Sequence, residues 1–165
     1  MKTTTLNRVI FLLVLGTTAV AQGMPNQILG KWRIVREVPT SAISCWGATE
    51  AKAILQTEIE YTSDTFRWRN VVTKDPRVEV AALTAQQFHD ENSGGSVNSS
   101  QVSFRQLGIK TRKVVQIAIL HPPAEITGAT TEIPGDTILV KDKNTILFSV
   151  CNLYFEAKRM HTDGR

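Results

Sequence analysis

Apolar and polar residues alternate most strictly near the C-terminus, in the stretch DTILVKDKNTILFSVCNLYFEAKR at residues 136–159. Ile138 and Val140 alternate with Thr137, Leu139 and Lys141. Ile146, Phe148 and Val150 continue the period of two, and Leu153, Phe155 and Ala157 resume it after Cys151 and Asn152. This period over such short segments predicts half-buried antiparallel strands. Asp142-Lys143-Asn144 supplies one turn and Cys151-Asn152 the other, and both asparagines tolerate the positive φ that such turns use. These loop lengths set Val140 across from Ile146, Ile138 across from Phe148, Val150 across from Leu153 and Phe148 across from Phe155. All of these then share one face, with Leu139 and Leu147 as exceptions. A slip of one residue would turn half of them outward.

The same pattern predicts a first strand over residues 28–36, with Ile28, Trp32 and Ile34 on one face and Lys31 and Arg33 on the other. Gly30 fits the close approach of another backbone element beside the tryptophan. Strict alternation puts Arg36 on the Trp32 face, either at the mouth beyond the core or as a buried charge awaiting a partner, such as an anionic ligand group. Thr49 is suited to cap a short helix over residues 50–55. Residues 58–69 read as a hairpin. A loop at Ser63-Asp64 sets Tyr61 opposite Phe66 and Ile59 opposite Trp68, and on the other face Glu60 opposite Arg67 and Glu58 opposite Arg69. Another strand is expected over residues 77–83, with Val78, Val80 and Ala82 on one side. Thr84 and Gln87 then match a capping box at the start of a helical turn. Residues 90–100 read as a polar, glycine-rich surface loop containing the sequon Asn98-Ser99-Ser100. Residues 114–120 form an apolar strand stopped by His121-Pro122-Pro123, and residues 124–132 are irregular.

At the N-terminus, Lys2 and Arg8 are followed by an apolar run at residues 9–15, and Ala19-Val20-Ala21 matches a small-x-small cleavage site. This reads as a secretory signal over residues 1–21, leaving residues 22–165 as a single domain. The apolar run is far shorter than the ~20 residues a membrane-spanning helix needs, so no stable membrane anchor is expected. The chain carries a formal charge of +4, and without Lys2 and Arg8 it retains 17 basic and 15 acidic residues. They are scattered, which argues against nucleic acid as a partner. Cys45 and Cys151 are the only cysteines. In an oxidising compartment, periplasmic or extracellular, such a pair is expected to form a bridge.

Seven or eight short strands joined mostly as antiparallel neighbours define an all-β fold with one or two short helices. An up-and-down barrel follows if the first strand pairs antiparallel with the last. That pairing sets Trp32 near Arg159 at one end and lets Cys45 reach Cys151 at the other. Gly30-Lys31-Trp32 on the first strand, with Arg159 after the last, resembles the lipocalin and wider calycin signature, in which a basic residue covers a tryptophan near the start of the barrel. Residues 54–159 are also similar to small exported lipocalin-like proteins of bacteria. The matching points are Glu58-Ile59-Glu60-Tyr61, Leu107-Gly108-Ile109, Ile133-Pro134-Gly135-Asp136 and Phe155-Glu156-Ala157-Lys158-Arg159. The resemblance implies a lipocalin-like barrel in which Gly30, Trp32 and Arg159 are structural.

No nucleophile elbow, Cys-His pair, P-loop or dinucleotide fingerprint is present, so no catalytic residue and no cofactor is expected. His89, His121 and His161 lack metal-motif spacing. Glu58 and Glu60 read as exposed cross-strand ion pairs rather than an acid–base couple. The expected activity is that of an exported, non-enzymatic binding protein holding a small apolar or amphipathic ligand. Trp32, Arg36, Tyr61, Phe66, Trp68, Phe148 and Phe155 are the candidate ligand residues, because an eight-stranded barrel has room for one small ligand. The alternative is a protein-interaction module, or an inhibitor of a secreted or periplasmic enzyme, that acts through the barrel's end loops.

Overall fold

The computed structural model describes residues 23–92, 102–121 and 132–161. The expected signal segment, the sequon and most of the irregular segment before residue 132 lie outside the described residues. Nine strands and two helices follow in the order β1 (Gly30–Val38), α1 (Ala48–Ile54), β2 (Glu58–Tyr61), β3 (Thr65–Trp68), β4 (Val71–Lys74), β5 (Arg77–Thr84), α2 (Ala85–Asn92), β6 (Lys113–Leu120), β7 (Thr137–Asp142), β8 (Thr145–Val150) and β9 (Leu153–Arg159). All nine strands belong to one antiparallel sheet of order β4-β3-β2-β1-β9-β8-β7-β6-β5. Two meanders are thus joined through the first and last strands.

The sheet curls. Tyr61 of β2 donates to the carbonyl of Gly135, just before β7, at 2.8 Å, although three strands lie between β2 and β7 in the sheet. The sheet has nine strands where seven or eight were expected. The additional one is β4, whose Val71-Val72-Thr73-Lys74 run has no clear alternation. Strands β4 and β5 are the two edges, linked only by Asp75 and Pro76, and among the described residues no register pairs them. Pro76 has no N–H to donate. The N–H of Asp75 (φ 46°) goes back to Asp64 instead, at 2.7 Å.

Strand β1 pairs with β9, setting Trp32 opposite Arg159 and Ile34 opposite Ala157. The indole N–H of the fully buried Trp32 donates to Ile28 O at 2.7 Å, and the Arg159 guanidinium lies 4.2 Å from the ring centroid. That guanidinium also donates to the carbonyls of Gln27, Leu29 and Lys143 at 2.6, 2.5 and 2.9 Å. Gly30 has φ 114°, a backbone state that a side chain would strain, directly beneath the guanidinium. Beyond Ile34 the register shifts, so that Arg36 pairs with Glu156 and Val38 with Tyr154. This bulge corrects the expected position of Arg36: one extra residue inverts the alternation and turns the side chain to the outer face.

In the C-terminal meander the observed registers are those the alternation predicts, from Val140–Ile146 and Ile138–Phe148 to Phe148–Phe155 and Val150–Leu153. Cys151 and Asn152 adopt φ of 53° and 64°, as the tight turn requires. Asn144 does not have positive φ. A register shift between Val140 and Asp142 leaves a two-residue turn instead of a three-residue one. Leu139 and Leu147 face each other across β7 and β8, and they belong to a second, outer core. There they meet Val38, Tyr154, Phe88 of α2 and the 102–109 segment, with Phe104 and Leu107. The C-terminal half of the sheet is therefore covered on both faces.

Three smaller expectations change. In β5 only Val78 and Leu83 are buried, on opposite faces, while Val80 and Ala82 are exposed near the sheet edge. Helix α1 begins at Ala48, after Gly47 rather than Thr49, and the Gly47 N–H donates to Glu50 Oε2 at 3.1 Å. Arg69 (φ 53°) leaves the β2–β3 hairpin, which pairs Tyr61 with Phe66, Ile59 with Trp68 and Glu60 with Arg67 as expected. Glu58 accordingly pairs with Arg33 of β1 at 3.0 Å. The capping box stands, with the Gln87 N–H donating to Thr84 Oγ1 at 3.2 Å and the Thr84 N–H to Gln87 Oε1 at 2.9 Å. It opens an eight-residue helix.

Two outcomes follow for stability. Trp32→Ala is expected to cost ~3–5 kcal/mol and Arg159→Ala less, with the two losses failing to add in a denaturant-measured double-mutant cycle, because they share one contact. Leu147→Ala is expected to cost ~2–5 kcal/mol although its neighbours in sequence already fill the inner core. An exposed-leucine cost well under 1 kcal/mol would contradict the outer core.

Candidate functional site

Six of the seven candidate ligand residues converge on the inner face. Trp32, Tyr61, Phe66, Trp68, Phe148 and Phe155 all belong to the inner core, each at most 3% exposed. The cross-strand registers bring them together: Tyr61 and Phe66 stack with centroids 5.5 Å apart, and Phe148 and Phe155 with centroids 5.6 Å apart. The indole N–H of Trp68 donates to Thr57 Oγ1 at 3.0 Å. Trp32 sits at the end closed by Arg159.

Arg36, the seventh, stands outside this group. Its guanidinium meets Glu156 at 2.8 Å on the outer face, where Lys158 and Lys141 also lie 3.1 and 3.5 Å from the same carboxylate. Burial alone would push Glu156 up, but hydrogen bonds and charge from Lys158 and Arg36 outweigh it and hold the carboxyl below its ordinary value. Glu156 is a buried anion held by three cations, and sequence reasoning assigned it no role. Its one visible signal is its position among Leu147 and Tyr154 on a face otherwise read as solvated. The charged residues of β1–β3 behave as exposed ion pairs, Lys31–Glu60 at 3.9 Å and Arg33–Glu58 at 3.0 Å. With Arg67 and Arg69, Lys31, Glu58 and Glu60 line a shallow open cleft of about 260 Å³ outside the inner core.

A polar group borders the inner core beneath β2. A Cβ at Gly135 (φ 89°) would lie 2.6 Å from the Tyr61 hydroxyl, so only glycine admits this contact. The buried Asp136 accepts the Ile133 N–H through Oδ2 at 2.8 Å, and the same oxygen lies 3.1 Å from His121 Nε2. Burial, and then the charge of Asp136, push the Tyr61 phenol well above its ordinary value. Tyr154 on the outer face donates to Asn92 Oδ1 at 3.1 Å. Burial raises its pKa, a hydrogen bond with Ser149 opposes this, and the charge of Glu132 adds to it, for a net value of about 12. Among the described residues no three His, Cys, Asp or Glu side chains gather as a metal-binding set.

The opposite end of the sheet from Arg159 is closed by the Cys45–Cys151 disulfide, with a Cα–Cα distance of 5.3 Å. The expected pairing of the two cysteines is present. Beside it the Cys151 N–H donates to Glu132 Oε2 at 2.6 Å, and Asn152 Nδ2 to Ile43 O at 3.0 Å. Trp46, next to the exposed Cys45, lies in the inner core. Among the described residues, its Nε1 is the one buried side-chain polar atom without a hydrogen-bond partner. Sequence reasoning does not find Trp46, since only its neighbour's disulfide fixes which way it turns. No protein-family model, no curated protein and no solved structure matches the chain.

Both tyrosines of the chain are thus expected to resist ionisation. Absorbance near the phenolate band should stay flat in the native protein as pH rises past 10.0, their ordinary value, whereas the denatured chain should titrate there. A phenol with a raised folded pKa adds stability that is intact below the unfolded value and is lost as pH climbs through the folded one. The denaturation midpoint should therefore fall between pH 10 and 12.

Proposed function

We propose that the chain is an exported, non-enzymatic binding protein built on a lipocalin-like curled sheet, and that its inner face holds a small amphipathic ligand. The lipocalin-like reading is supported by the Trp32–Arg159 stack beside Gly30. The disulfide supports export to an oxidising compartment. Among the described residues no helix is long and apolar enough to cross a membrane.

The observation that carries the ligand reading is the unpartnered Nε1 of Trp46. A buried N–H without an acceptor costs about 1–3 kcal/mol, so its retention calls for an explanation, and a ligand acceptor supplies one. The stacked aromatic pairs occupy the middle of the inner face, and Trp32 is committed to Arg159. The ligand therefore enters at the disulfide end, with its acceptor towards Trp46. Among the described residues no register pairs β4 with β5, which leaves the sheet open along one side.

The test uses N-phenylnaphthylamine as a fluorescent apolar probe and laurate as the acceptor-bearing competitor. Saturable fluorescence enhancement and displacement by laurate are expected. Trp46→Phe should weaken laurate by about 5- to 100-fold, the worth of one buried hydrogen bond, while changing the affinity for the probe little. A wild-type chain that binds neither compound would sink the reading, and equal laurate affinity in both proteins would remove Trp46 from it.

A further inference from the structure

We propose that the cleft beside Arg159, at the end of the sheet away from the disulfide, is a second binding site whose ligand is a small organic carboxylate with a short apolar body. This goes beyond the Trp46 reading and stands without it. The cleft measures about 580 Å³, and its lining includes Leu29, Gly30, Lys31, Glu60, Arg159 and Met160. That volume is ordinary for a small-molecule site.

Backbone bonds fix the rim. The Leu29 N–H donates to Asn26 O at 3.3 Å, and the Met160 N–H donates to Lys31 O at 2.8 Å. The chain leading into β1 and the residue following β9 are thereby held beside one another. Leu29 packs against the inner core and Met160 is half-buried, so these two supply the apolar part of the wall. A Cβ at Gly30 would stand 3.4 Å from Arg159 Nη1. Glycine leaves that nitrogen uncovered on the side facing the cleft.

The choice of an anion rests on the Arg159 charge. Arg33, Arg36 and Arg77 each meet a carboxylate at 2.8–3.0 Å. The hydrogen bonds of the half-buried Arg159 among the described residues all go to neutral carbonyls, those of Gln27, Leu29 and Lys143. Burial pulls its guanidinium below the ordinary value, as befits a cation whose lost hydration no anion replaces. These bonds occupy Nε–H and one N–H on each terminal nitrogen. One N–H is left on Nη1 and one on Nη2, a number that suits the two oxygens of a carboxylate. Lys31 adds a second cation. Its ammonium lies 3.9 Å from Glu60, beyond hydrogen-bond reach. Glu60 sets the charge limit, because a carboxylate in the lining repels a phosphate more strongly than a singly charged ligand.

The test is a nitrogen-15 NMR titration of the oxidised full chain with hexanoate. Saturable shifts are expected at the Arg159 Nε–H and at the backbone amides of Gly30, Lys31 and Met160, and they should persist in Trp46→Phe. 1-Hexanol, which has no charge, should not produce them, and inorganic phosphate should bind more weakly than hexanoate. Lys31→Gln should weaken hexanoate about 2- to 5-fold, as loss of one exposed charge does. Glu60→Gln should tighten it by a similar factor, a direction that loss of structure cannot produce. Absence of saturable shifts at these groups, phosphate binding as tight as hexanoate, or unchanged affinity in both variants would each overturn the proposal. The Trp46 Nε1–H reports the other end of the sheet in the same spectrum. A hexanoate response there alone overturns this site and leaves the first reading standing, and a response beside Arg159 alone supports this site without the first.

Discussion

The pairing of β1 with β9 is the constraint on which the remaining architecture depends. It is the one junction between the β1–β4 and β5–β9 meanders, and it puts residues more than a hundred positions apart side by side. The Arg159 guanidinium stabilises this junction through four contacts at once: the Trp32 ring, the Gln27 and Leu29 carbonyls just before β1, and the Lys143 carbonyl in the β7–β8 turn. At the other end of the same strand pair, the disulfide and the tight turn at Cys151-Asn152 do the equivalent work. The junction is therefore fastened at both ends, and the inner aromatic face lies between the two fastenings.

The sheet separates two environments that differ in chemistry. Its inner face is almost wholly apolar; Trp68 is matched with Thr57 and Tyr61 with Gly135, while among the described residues Trp46 Nε1 stays unpartnered. Its outer face is divided between the Phe88–Phe104–Leu107 cover and the Glu156 cluster. Burying Glu156 costs solvation, and the three surrounding cations offset that cost, which fixes how the strand end must sit against β1. The bulge beyond Ile34 gives Arg36 its place in that cluster. One irregularity thus serves the outer face without disturbing the inner one.

What was legible in the sequence follows from the same division. Wherever one face is buried and the turns are short, alternation specifies register, so the meander pairs and the Tyr61–Phe66 and Ile59–Trp68 pairs could be read directly. The Trp32–Arg159 contact was legible because Gly30 and the two chain ends all pointed to it. The outer core was not legible. Its partners, Phe88, Phe104 and Leu107, lie in segments without strand periodicity, so Leu139 and Leu147 looked like exceptions to a pattern when they belonged to a second one. Arg36 was misplaced because nothing in Ile34-Val35-Arg36 announces a bulge. In the candidate site, the aromatic set could be read but Trp46 could not, since its lack of a partner is a property of packing.

The long reach of the β1–β9 pairing also governs how this protein can acquire its structure. Pairing over so great a sequence separation carries a large loop-closure cost before any contact compensates for it, and such topologies fold slowly. During synthesis β1 emerges first and must wait, with Trp32 and Ile34 uncovered, until the last strand has appeared. The bond between Cys45 and Cys151, 106 positions apart, can likewise form only once Cys151 has been made. The protein cannot mature piece by piece. Until β9 arrives the growing chain is an open sheet with a naked apolar face.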